Sequence, residues 1–405
     1  MNMGFMPFKR ASAPVGVDSP SDPIDQHPSD IASTTHSKWR PNRAIIFGLL
    51  IAILLLVVGC STGKQSTWDP VGPVAEKQLE LFNVLLWVMV GVFVAVEGLM
   101  LYTIIRFRKR PGVEPSRIHG NLPLEITWTI IPTILVLGLG IWSVITLFEI
   151  DQPPNEDTNV IEVNVTGHQW WFEFEYTDAG GGKRITTANE LRIPVDRSVK
   201  LNLYSDDVIH SFWVPKLAGK LDMVPTRRNE MWFKADSTKI DTLPATFYGQ
   251  CAELCGVSHS LMRFRVKVLS EADYASWVDN YGPPQPLTEI AEAGKNTFTI
   301  NCSLCHTING PDDPVASKSK LDSFMAGGAV TAVPAPNLTD LRTRQTIGAG
   351  LADLNAETLR AWINNPSDLK TVNHMSGRAF IYQDGDVTLS DEEVGGLIAY
   401  LLQLQ

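Results

Sequence analysis

The sequence lacks the short motifs that identify several large enzyme classes. It contains no GxxxxGK[ST] phosphate-binding loop, no G-x-S-x-G nucleophile elbow and no HExxH zinc motif, so the common nucleotide-binding and hydrolase functions have no support. It also has no internal repeat of the length found in solenoid proteins. Basic residues are in the minority, because 34 Lys and Arg stand against 44 Asp and Glu. The resulting net charge of -10 argues against nucleic-acid binding.

Cysteine is scarce as well, with five residues in a chain of 405. Cys251 and Cys255 form one close pair, Cys302 and Cys305 form another, and Cys60 stands alone. This spacing is not that of a disulfide framework, so each pair has to be interpreted in its own local sequence. The length of the chain allows two or three domains.

The first cysteine pair lies in the segment CAELCGVSHSLM, residues 251–262, and a further histidine stands upstream in IHSFWVP. Thiolate, imidazole and thioether groups are ligands that favour copper over hard cations, and together they are too many for one tetrahedral zinc ion. They suit two copper ions bridged by both sulfurs, with one histidine on each ion. The alternative is a simple disulfide in an exported protein. The candidate ligands are His210, Cys251, the backbone carbonyl of Glu253, Cys255, His259 and Met262.

The second pair lies in NCSLCH, residues 301–306, which is the C-x-x-C-H signature of c-type haem attachment. Cys302 and Cys305 would form two thioether bonds to the porphyrin, and His306 would bind the iron. A thioredoxin-like pair is the alternative, but no βαβ pattern surrounds the motif. The sixth iron ligand is expected to be a downstream methionine or histidine. The candidates are Met325, His374 and Met375.

The copper segment resembles the binuclear copper (CuA) loop of cytochrome c oxidase subunit II, in which C-x-E-x-C-x3-H-x2-M follows an upstream histidine. Every position is present here. The resemblance implies a cupredoxin-like fold, and it makes Trp170, in the stretch GHQW, the residue where electrons enter. It also implies that Asp207 orients His210 and that the Glu253 side chain helps to hold a magnesium ion at the interface with the large subunit. His168 is not needed as a ligand.

The haem segment resembles the cytochromes fused to bacterial oxidases of this family, in two places. The stretch from Asn365 to Met375 resembles their N-P…K-P-G-x-x-M pattern, which implies Met375 as the sixth ligand. Thr371 and Val372 stand where those cytochromes have Pro-Gly, and His374 stays a competing ligand. The stretch PNLT, residues 336–339, resembles a segment near the haem edge.

Two apolar segments, Leu79–Ile105 and Leu124–Phe148, are each long enough to span a bilayer. Basic residues follow the first one, so the loop between the spans is predicted to be cytoplasmic and the later domains to lie outside. Glu97 lies within the first span and is a candidate functional residue. Glu125 begins a segment resembling the family's E-x-x-W-T-x-x-P, which implies the mouth of a proton path. From the residues alone, Glu125 is an interfacial acid that needs no function.

The N-terminal part has the features of an exported protein. Residues 1–43 are predicted to be disordered, and the apolar run Ala44–Gly59 follows basic residues, as in a secretory signal. The run ends at Cys60 in a box that resembles a bacterial lipoprotein cleavage site, so Cys60 would carry a lipid. The alternative is an uncleaved third helix with a buried cysteine.

The sequence therefore predicts a multidomain chain. Residues 1–59 form the tail and signal peptide, 60–150 a two-helix transmembrane hairpin, 151–280 an all-β cupredoxin-like CuA sandwich, and 287–405 an all-α class I cytochrome c domain. Alternating apolar residues such as Val163, Val165, Leu201 and Leu203 predict short strands in an antiparallel sandwich. Helices are predicted at Leu287–Thr307, from near Asn355 to before Pro366, and at Ser390–Leu402 with a Ser390/Glu393 capping box. A Pro-rich linker, residues 281–286, joins the last two domains.

The resemblance implies subunit II of a respiratory haem-copper oxidase in a bacterial inner membrane, with its copper and haem domains on the outer face. Electrons would pass from the haem c on His306, by Trp170, to CuA and then to a haem of subunit I, where oxygen is reduced and protons are pumped. Subunits I and III would be partners, with cytochrome c or a bc complex as the donor. Two alternatives are the small subunit of a CuA-containing nitric oxide reductase and a membrane-tethered copper-binding protein.

Overall fold

The structure is a computed structural model that describes residues 47–48, 51, 63–109, 111–112, 114, 120–154, 157, 159–282, 287–303, 305–308, 335–382 and 388–403. Two units make up the chain, Met1–Val57 and Val58–Gln405, and everything below concerns the second. The predicted disordered tail, most of the predicted signal segment, Cys60 and Met325 lie outside the described residues.

Two long apolar helices lie where the two spans are predicted. Helix α1 runs over Pro73–Arg106 and helix α2 over Leu122–Ile150, and both are long and apolar enough to cross a membrane. Helix α1 begins six residues before the predicted Leu79, because Pro is favoured in a first helical turn and because Val74 and Ala75 are buried. Glu97 lies within α1, and its function stays a prediction.

Ten strands form the predicted sandwich. They are β1 (Ile161–His168), β2 (Trp171–Tyr176), β3 (Ile185–Ala188), β4 (Glu190–Pro194), β5 (Val199–Ser205), β6 (His210–Trp213), β7 (Lys220–Met223), β8 (Asn229–Phe233), β9 (Ala245–Cys251) and β10 (Arg263–Leu269). One sheet has the order β3-β2-β1-β5-β8 and the other β4-β10-β9-β6-β7. The antiparallel prediction is wrong for two pairs, because β1 pairs with β5 and β10 with β4 in parallel. In both pairs the chain passes through other strands before it returns, as parallel pairing requires.

The apolar alternation seen in the sequence lies on the inner faces of the two sheets. Val163, Val165, Leu201 and Leu203 are fully buried, as a period of two residues predicts for strands with one covered face. Aromatic rings fill the space between the sheets. They are Phe172, Phe174, Phe212, Phe233 and Phe264, and each contacts at least one other ring of this set.

The C-terminal part is mainly helical, as predicted. After α3 (Glu271–Asp279) come α4 (Glu289–Asn301), β11 (Thr346–Ile347), β12 (Ala352–Asp353), α5 (Ala356–Asn364), α6 (Pro366–Leu369), α7 (His374–Arg378) and α8 (Asp391–Leu401). The predicted capping box of Ser390 and Glu393 is present at α8. The predicted helix Leu287–Thr307 is too long, because Thr288 caps α4 and the helix ends at Asn301, just before the C-x-x-C-H turn.

A polar network joins the helical domain to the sandwich. The carboxylate of Asp340, which is fully buried, accepts hydrogen bonds from Arg192 (2.9 Å), Arg344 (3.0 Å) and Thr187 (3.1 Å). On the sandwich side, Glu190 Oε1 accepts three hydrogen bonds of 2.8 Å from the helical domain. We call this set the interdomain network; its members are Thr187, Glu190, Arg192, Asp340, Arg344, Gln345 and Thr346. Buried charges are retained in proteins only when they are paired in this way.

Candidate copper and haem sites

The predicted copper ligands converge at one end of the second sheet. His210 is the first residue of β6 and Cys251 is the last residue of β9, and these strands are neighbours. Strand β9 continues to Cys251, where Cys251 N donates to Met262 O (2.9 Å). The first sulfur is thus fixed by strand pairing rather than carried on a loop.

The two cysteine sulfurs lie at the centre of the ligand group, 3.7 Å apart. Each sulfur has its own histidine: Cys251 Sγ lies 3.9 Å from Nδ1 of His210, and Cys255 Sγ lies 3.5 Å from Nδ1 of His259. Met262 Sδ is 3.8 Å from Cys255 Sγ, on one side of the pair. The carbonyl oxygen of Glu253 is 3.2 Å from Cys251 Sγ. All six predicted donors are therefore in one small cluster.

The hydrogen bonds around this cluster prepare it for metal binding. Asp207 Oδ1 lies 2.7 Å from Nε2 of His210, so the Nδ1 atom of this ring faces the sulfurs. The contact with Cys255 lowers the pKa of Cys251, and the same contact raises the pKa of Cys255. Burial alone would lower the pKa of His210, but Asp207 and Cys251 raise it to about 9. An ionised sulfur, which is the form that binds metals, is thereby favoured.

The donor set fits a pair of copper ions. Cys251, Cys255, His210 and Met262 are buried, so sulfur and imidazole donors face each other in a dry site, which suits copper better than oxygen-seeking cations. Gly167 allows the β1 strand to pass close to this site, because a Cβ atom there would lie 2.7 Å from the His210 ring.

His168 does not join the copper cluster. Its Nδ1 lies 2.7 Å from Asp206 and its ring stacks on Trp171 at 4.2 Å. This placement agrees with the expectation that His168 is not needed as a copper ligand.

Trp170 lies directly against the copper loop. Its indole Nε1 donates to the carbonyl of Cys255 (3.0 Å), and the side chain of Gln169 donates to the same oxygen (2.7 Å). Only 6% of Trp170 is exposed, because the helical domain covers it. His374 stacks on its ring, with centroids 5.4 Å apart and planes at 20°. Lys370, which is buried, donates a hydrogen bond to the carbonyl of Trp170.

An apolar cavity lies beside the C-x-x-C-H motif. Cys302, Cys305 and His306 are on its wall, and both His374 and Met375 line it. Other lining side chains are Phe298, Leu338, Leu341, Leu359, Trp362, Ile363, Leu397 and Leu401. Nδ1 of His306 lies 2.9 Å from the carbonyl of Pro336. A carbonyl only accepts hydrogen bonds, so Nδ1 carries the proton and Nε2 is in the form that binds iron. The cavity and its histidine therefore fit a covalently held haem.

The remaining predicted site residues lie elsewhere. Glu125 is in the first turn of α2, where its carboxylate accepts a hydrogen bond from Asn121 N (3.1 Å) and Asn121 in turn caps Leu124 N. This gives Glu125 a structural contact, and the proton-path function stays a prediction. The Glu253 side chain is exposed, and its magnesium function also stays a prediction.

Sequence reasoning did not find the interdomain network or the cover over Trp170. Glu190, Arg192 and Asp340 are charged residues that strand and loop patterns place at the surface, and no spacing rule indicates that a second domain buries them. Lys370 lies in the motif that resembles fused cytochromes, which was the one available signal for its importance.

Comparison with known proteins identifies a family for each part of the chain. Three family descriptions match: "Cytochrome C oxidase subunit II, transmembrane domain" over residues 60–146, "Cytochrome C oxidase subunit II, periplasmic domain" over 178–269, and "Cytochrome c" over 291–405. A crystal structure of the periplasmic domain of subunit II of cytochrome oxidase from Bradyrhizobium japonicum is 32% identical. The matched region is 29% of this chain and 91% of the chain in that crystal structure, and the TM-score is 0.26.

Full-length relatives cover nearly the whole chain. "Cytochrome c oxidase subunit 2" of Alkalihalophilus pseudofirmus is 35% identical over 362 residues, which are 87% of this chain and 95% of that protein. Proteins of the same name from Bacillus sp. strain PS3 and Bacillus subtilis are also 35% identical. The match to the strain PS3 protein covers 91% of this chain and 98% of that protein. The match to the Bacillus subtilis protein covers 88% of this chain and 96% of that protein. The chain, with its two apolar helices, cupredoxin-like sandwich and C-terminal cytochrome c domain, therefore belongs to the cytochrome c oxidase subunit II family.

Proposed function

We propose that this chain receives electrons for a respiratory haem-copper terminal oxidase and delivers them to subunit I, which reduces oxygen and pumps protons. The observation that carries the proposal is a cluster of six donors that includes two buried sulfurs 3.7 Å apart, beside a second domain with a haem-type cavity. When bound, a binuclear copper centre and a haem c each take up and release one electron with little change in structure.

The residues of the sandwich would keep the copper ligands still. His210 and Cys251 lie on paired strands, and Asp207 holds the far side of the His210 ring. Ligands held this way change position little between charge states, which is what fast electron transfer requires. The copper would be held by His210, Cys251, the carbonyl of Glu253, Cys255, His259 and Met262.

The residues of the helical domain would hold the haem. Cys302 and Cys305 would supply the thioether bonds, His306 would bind the iron through Nε2, and Met375 would be the second iron ligand from the protein. The proton on Nδ1 of His306 is held by the Pro336 carbonyl, which orients the ring. Covalent attachment of this domain raises its effective concentration at the copper site, so that each turnover does not depend on diffusional docking.

The exposed part of the copper loop suits the interface with subunit I. Leu254 is 77% exposed and Val257 is 78% exposed, and Val208 and Ile209 are also exposed next to His210. Apolar side chains grouped around an electron-transfer site indicate a surface that another protein covers. The exposed Glu253 carboxylate would help to hold magnesium at that interface. Subunit III and a donor, either cytochrome c or a bc complex, would complete the assembly.

The proposal places the chain in the bacterial inner membrane, with the sandwich and the cytochrome domain outside. Glu125 would lie at the cytoplasmic end of α2, at the mouth of a proton path. Cys60 would anchor the mature N-terminus through a lipid, and mass spectrometry of that terminus would show the lipid mass or contradict the assignment.

Two substitutions test the proposed function by separating the two centres. In the purified oxidase complex, Cys251→Ser should abolish the near-infrared band of mixed-valence copper while the haem spectrum stays. Cys302→Ser should weaken covalent haem attachment while the near-infrared band stays. A near-infrared band that survives Cys251→Ser would contradict the copper assignment, because one bridging sulfur would be missing.

A further inference from the structure

The loop before the predicted haem ligand Met375 touches the copper domain at three points. Nζ of Lys370 donates a hydrogen bond to the carbonyl of Trp170. Ser258 Oγ donates to the carbonyl of Val372 (2.6 Å). The ring of His374 stacks on the ring of Trp170, with centroids 5.4 Å apart. These three contacts hold the loop in a fixed position over the copper site.

The stacked pair lies between the two candidate centres. His374 is joined to Met375 by one peptide bond and lines the haem-type cavity. Trp170, on the other side of the stack, donates its indole N–H to the carbonyl of Cys255 (3.0 Å). A path from Met375 to the sulfur of Cys255 therefore consists of covalent bonds interrupted by two short contacts, one between rings and one hydrogen bond.

Other contacts between the domains end elsewhere. On the sandwich side, the interdomain network lies on β3 and β4, which carry none of the predicted copper ligands. Trp171 contacts Ala349, but it stacks on His168, whose partner is Asp206. Trp170 also lines the cavity, so the His374–Trp170 stack joins two side chains of its wall, and one of them, Trp170, donates to the carbonyl of the predicted copper ligand Cys255.

We propose that electrons cross between the domains at His374, which acts as a positioning residue. Lys370 and Ser258 hold the loop that carries His374 in place. The inference rests on the proposed electron-transfer function and extends it to a residue of this chain. The step moves one electron and makes or breaks no bond: ferrous haem is oxidised, the copper pair is reduced, and His374 and Trp170 keep their protons. With its ring engaged with Trp170, His374 is disfavoured as the iron ligand, which leaves Met375 and Met325, and the resemblance to fused cytochromes favours Met375.

The test compares His374→Phe, which keeps an aromatic ring, with His374→Leu, which keeps bulk without a ring. In the full oxidase complex, a light pulse injects an electron into the haem, and haem reoxidation and copper reduction are followed by absorbance. We expect a haem-to-copper rate close to the unmodified rate in the Phe variant. We expect a loss on the order of tenfold in the Leu variant, because misplacement by about 1 Å can cost up to 100-fold where orientation decides a rate.

Two further readouts separate an electronic effect from a structural one. The absorption band of methionine-ligated ferric haem should persist in both variants. After cleavage at a protease site introduced into the 281–286 linker, the haem domain should stay bound to the sandwich, because the interdomain network is intact. The rate at which an external donor reduces the haem should not change.

Three outcomes would overturn the proposal. One is an unchanged haem-to-copper rate in His374→Leu, and another is a Phe variant as slow as the Leu variant. The third is an unmodified protein without the methionine-ligation band whose haem spectrum changes in both variants, which would make His374 the iron ligand. Failure of the proposed function would look different, since the unmodified protein would then lack the copper or haem bands.

Discussion

Asp207 connects two functional parts of the copper site through its two carboxylate oxygens. Oδ1 lies 2.7 Å from Nε2 of His210, and Oδ2 accepts a hydrogen bond from Gln169 N (2.6 Å), immediately before Trp170. The histidine and the tryptophan segment are therefore held by the same side chain. Partners of this kind set the orientation and the basicity of a metal ligand.

Removing this carboxylate should weaken copper binding without removing a ligand. We expect Asp207→Ala to lower copper affinity by roughly 10- to 100-fold, as is typical for such partners of metal ligands. Copper competition with a chelator, followed in the near-infrared band, measures the change. Asp206→Ala is the matched control, since its carboxylate bonds His168 rather than a predicted ligand. Equal losses in both variants would contradict a specific function of Asp207.

A second residue-scale prediction concerns the iron ligand. Met375→Ala should remove the absorption band of methionine-ligated ferric haem and lower the haem reduction potential, because a thioether ligand stabilises ferrous iron. Spectroelectrochemistry on the full chain measures both changes. An unaltered spectrum would return the assignment to His374 or Met325.

The residues of the copper site could be predicted from sequence because five of the six donors lie within twelve consecutive positions. His210 could be added because the family pattern includes a histidine upstream of the copper segment. Lys370 and Ser258 could not be recognised as interdomain contacts, because their partners are more than 100 positions away in the chain. Such contacts depend on how two folded domains meet, which local patterns do not encode.

At the scale of elements, the crossing of α4 and α8 depends on two glycines. A Cβ atom on Gly294 would lie 1.9 Å from the carbonyl oxygen of Gly396, so the helix backbones touch. This close crossing fixes the position of Phe298, which lines the haem cavity. The cavity shape is therefore set by helix packing.

Gly294→Ala should separate these helices. We expect a loss of about 1–3 kcal/mol in the free energy of unfolding of the haem domain, the usual cost of overpacking a core. Denaturant titration of the full chain, followed by haem absorbance, measures it. Gly395→Ala is the control, since its Cβ would meet only a side-chain atom of Arg360 at 3.8 Å. That change should be neutral or stabilising by up to about 1 kcal/mol through helix propensity.

Strand positions were predictable and strand directions were not. Alternation in β1 and β5 indicates buried and exposed faces, but the same alternation fits parallel and antiparallel neighbours. The parallel pairing of β1 with β5 follows from the route of the chain between the sheets. The end of β9 also depends on distant contacts, since its last residues up to Cys251 pair with distant parts of the chain.

At the scale of the whole molecule, the position of the haem domain depends on buried charges. Burial alone would raise the pKa of Asp340, but Arg344 and Arg192 outweigh burial and hold this pKa below its usual value of 3.8. A carboxyl group with a lowered pKa stabilises the docked state above the unperturbed pKa. That contribution declines as the pH falls below the unperturbed pKa and is lost once the pH falls below the lowered pKa, where the docked group becomes protonated.

The docking of the haem domain should therefore weaken in acid and in Asp340→Asn. The substitution leaves Arg192 and Arg344 without their buried partner, and breaking such a pair costs about 3–5 kcal/mol. The fraction of haem domain that stays bound after cleavage of the linker, measured between pH 7 and pH 3, reports the effect. Asp279→Asn is the control, because its ion pair with Lys183 is exposed and is expected to contribute about 0–1 kcal/mol. Docking that is independent of both changes would mean that apolar contacts alone hold the domains.

Helix α1 begins inside the sandwich rather than after a flexible connection. Val71 N donates to Lys216 O (2.7 Å), and Gly72 passes so close to Lys234 that a Cβ atom would lie 2.5 Å from its carbonyl oxygen. The end of α2 is fastened too, since Trp232 Nε1 donates to Ile150 O (2.9 Å). With both outer helix ends secured, the height of the metal centre above the lipid plane is set by helix length and tilt. A membrane of different thickness would therefore displace that centre instead of bending a hinge beneath it.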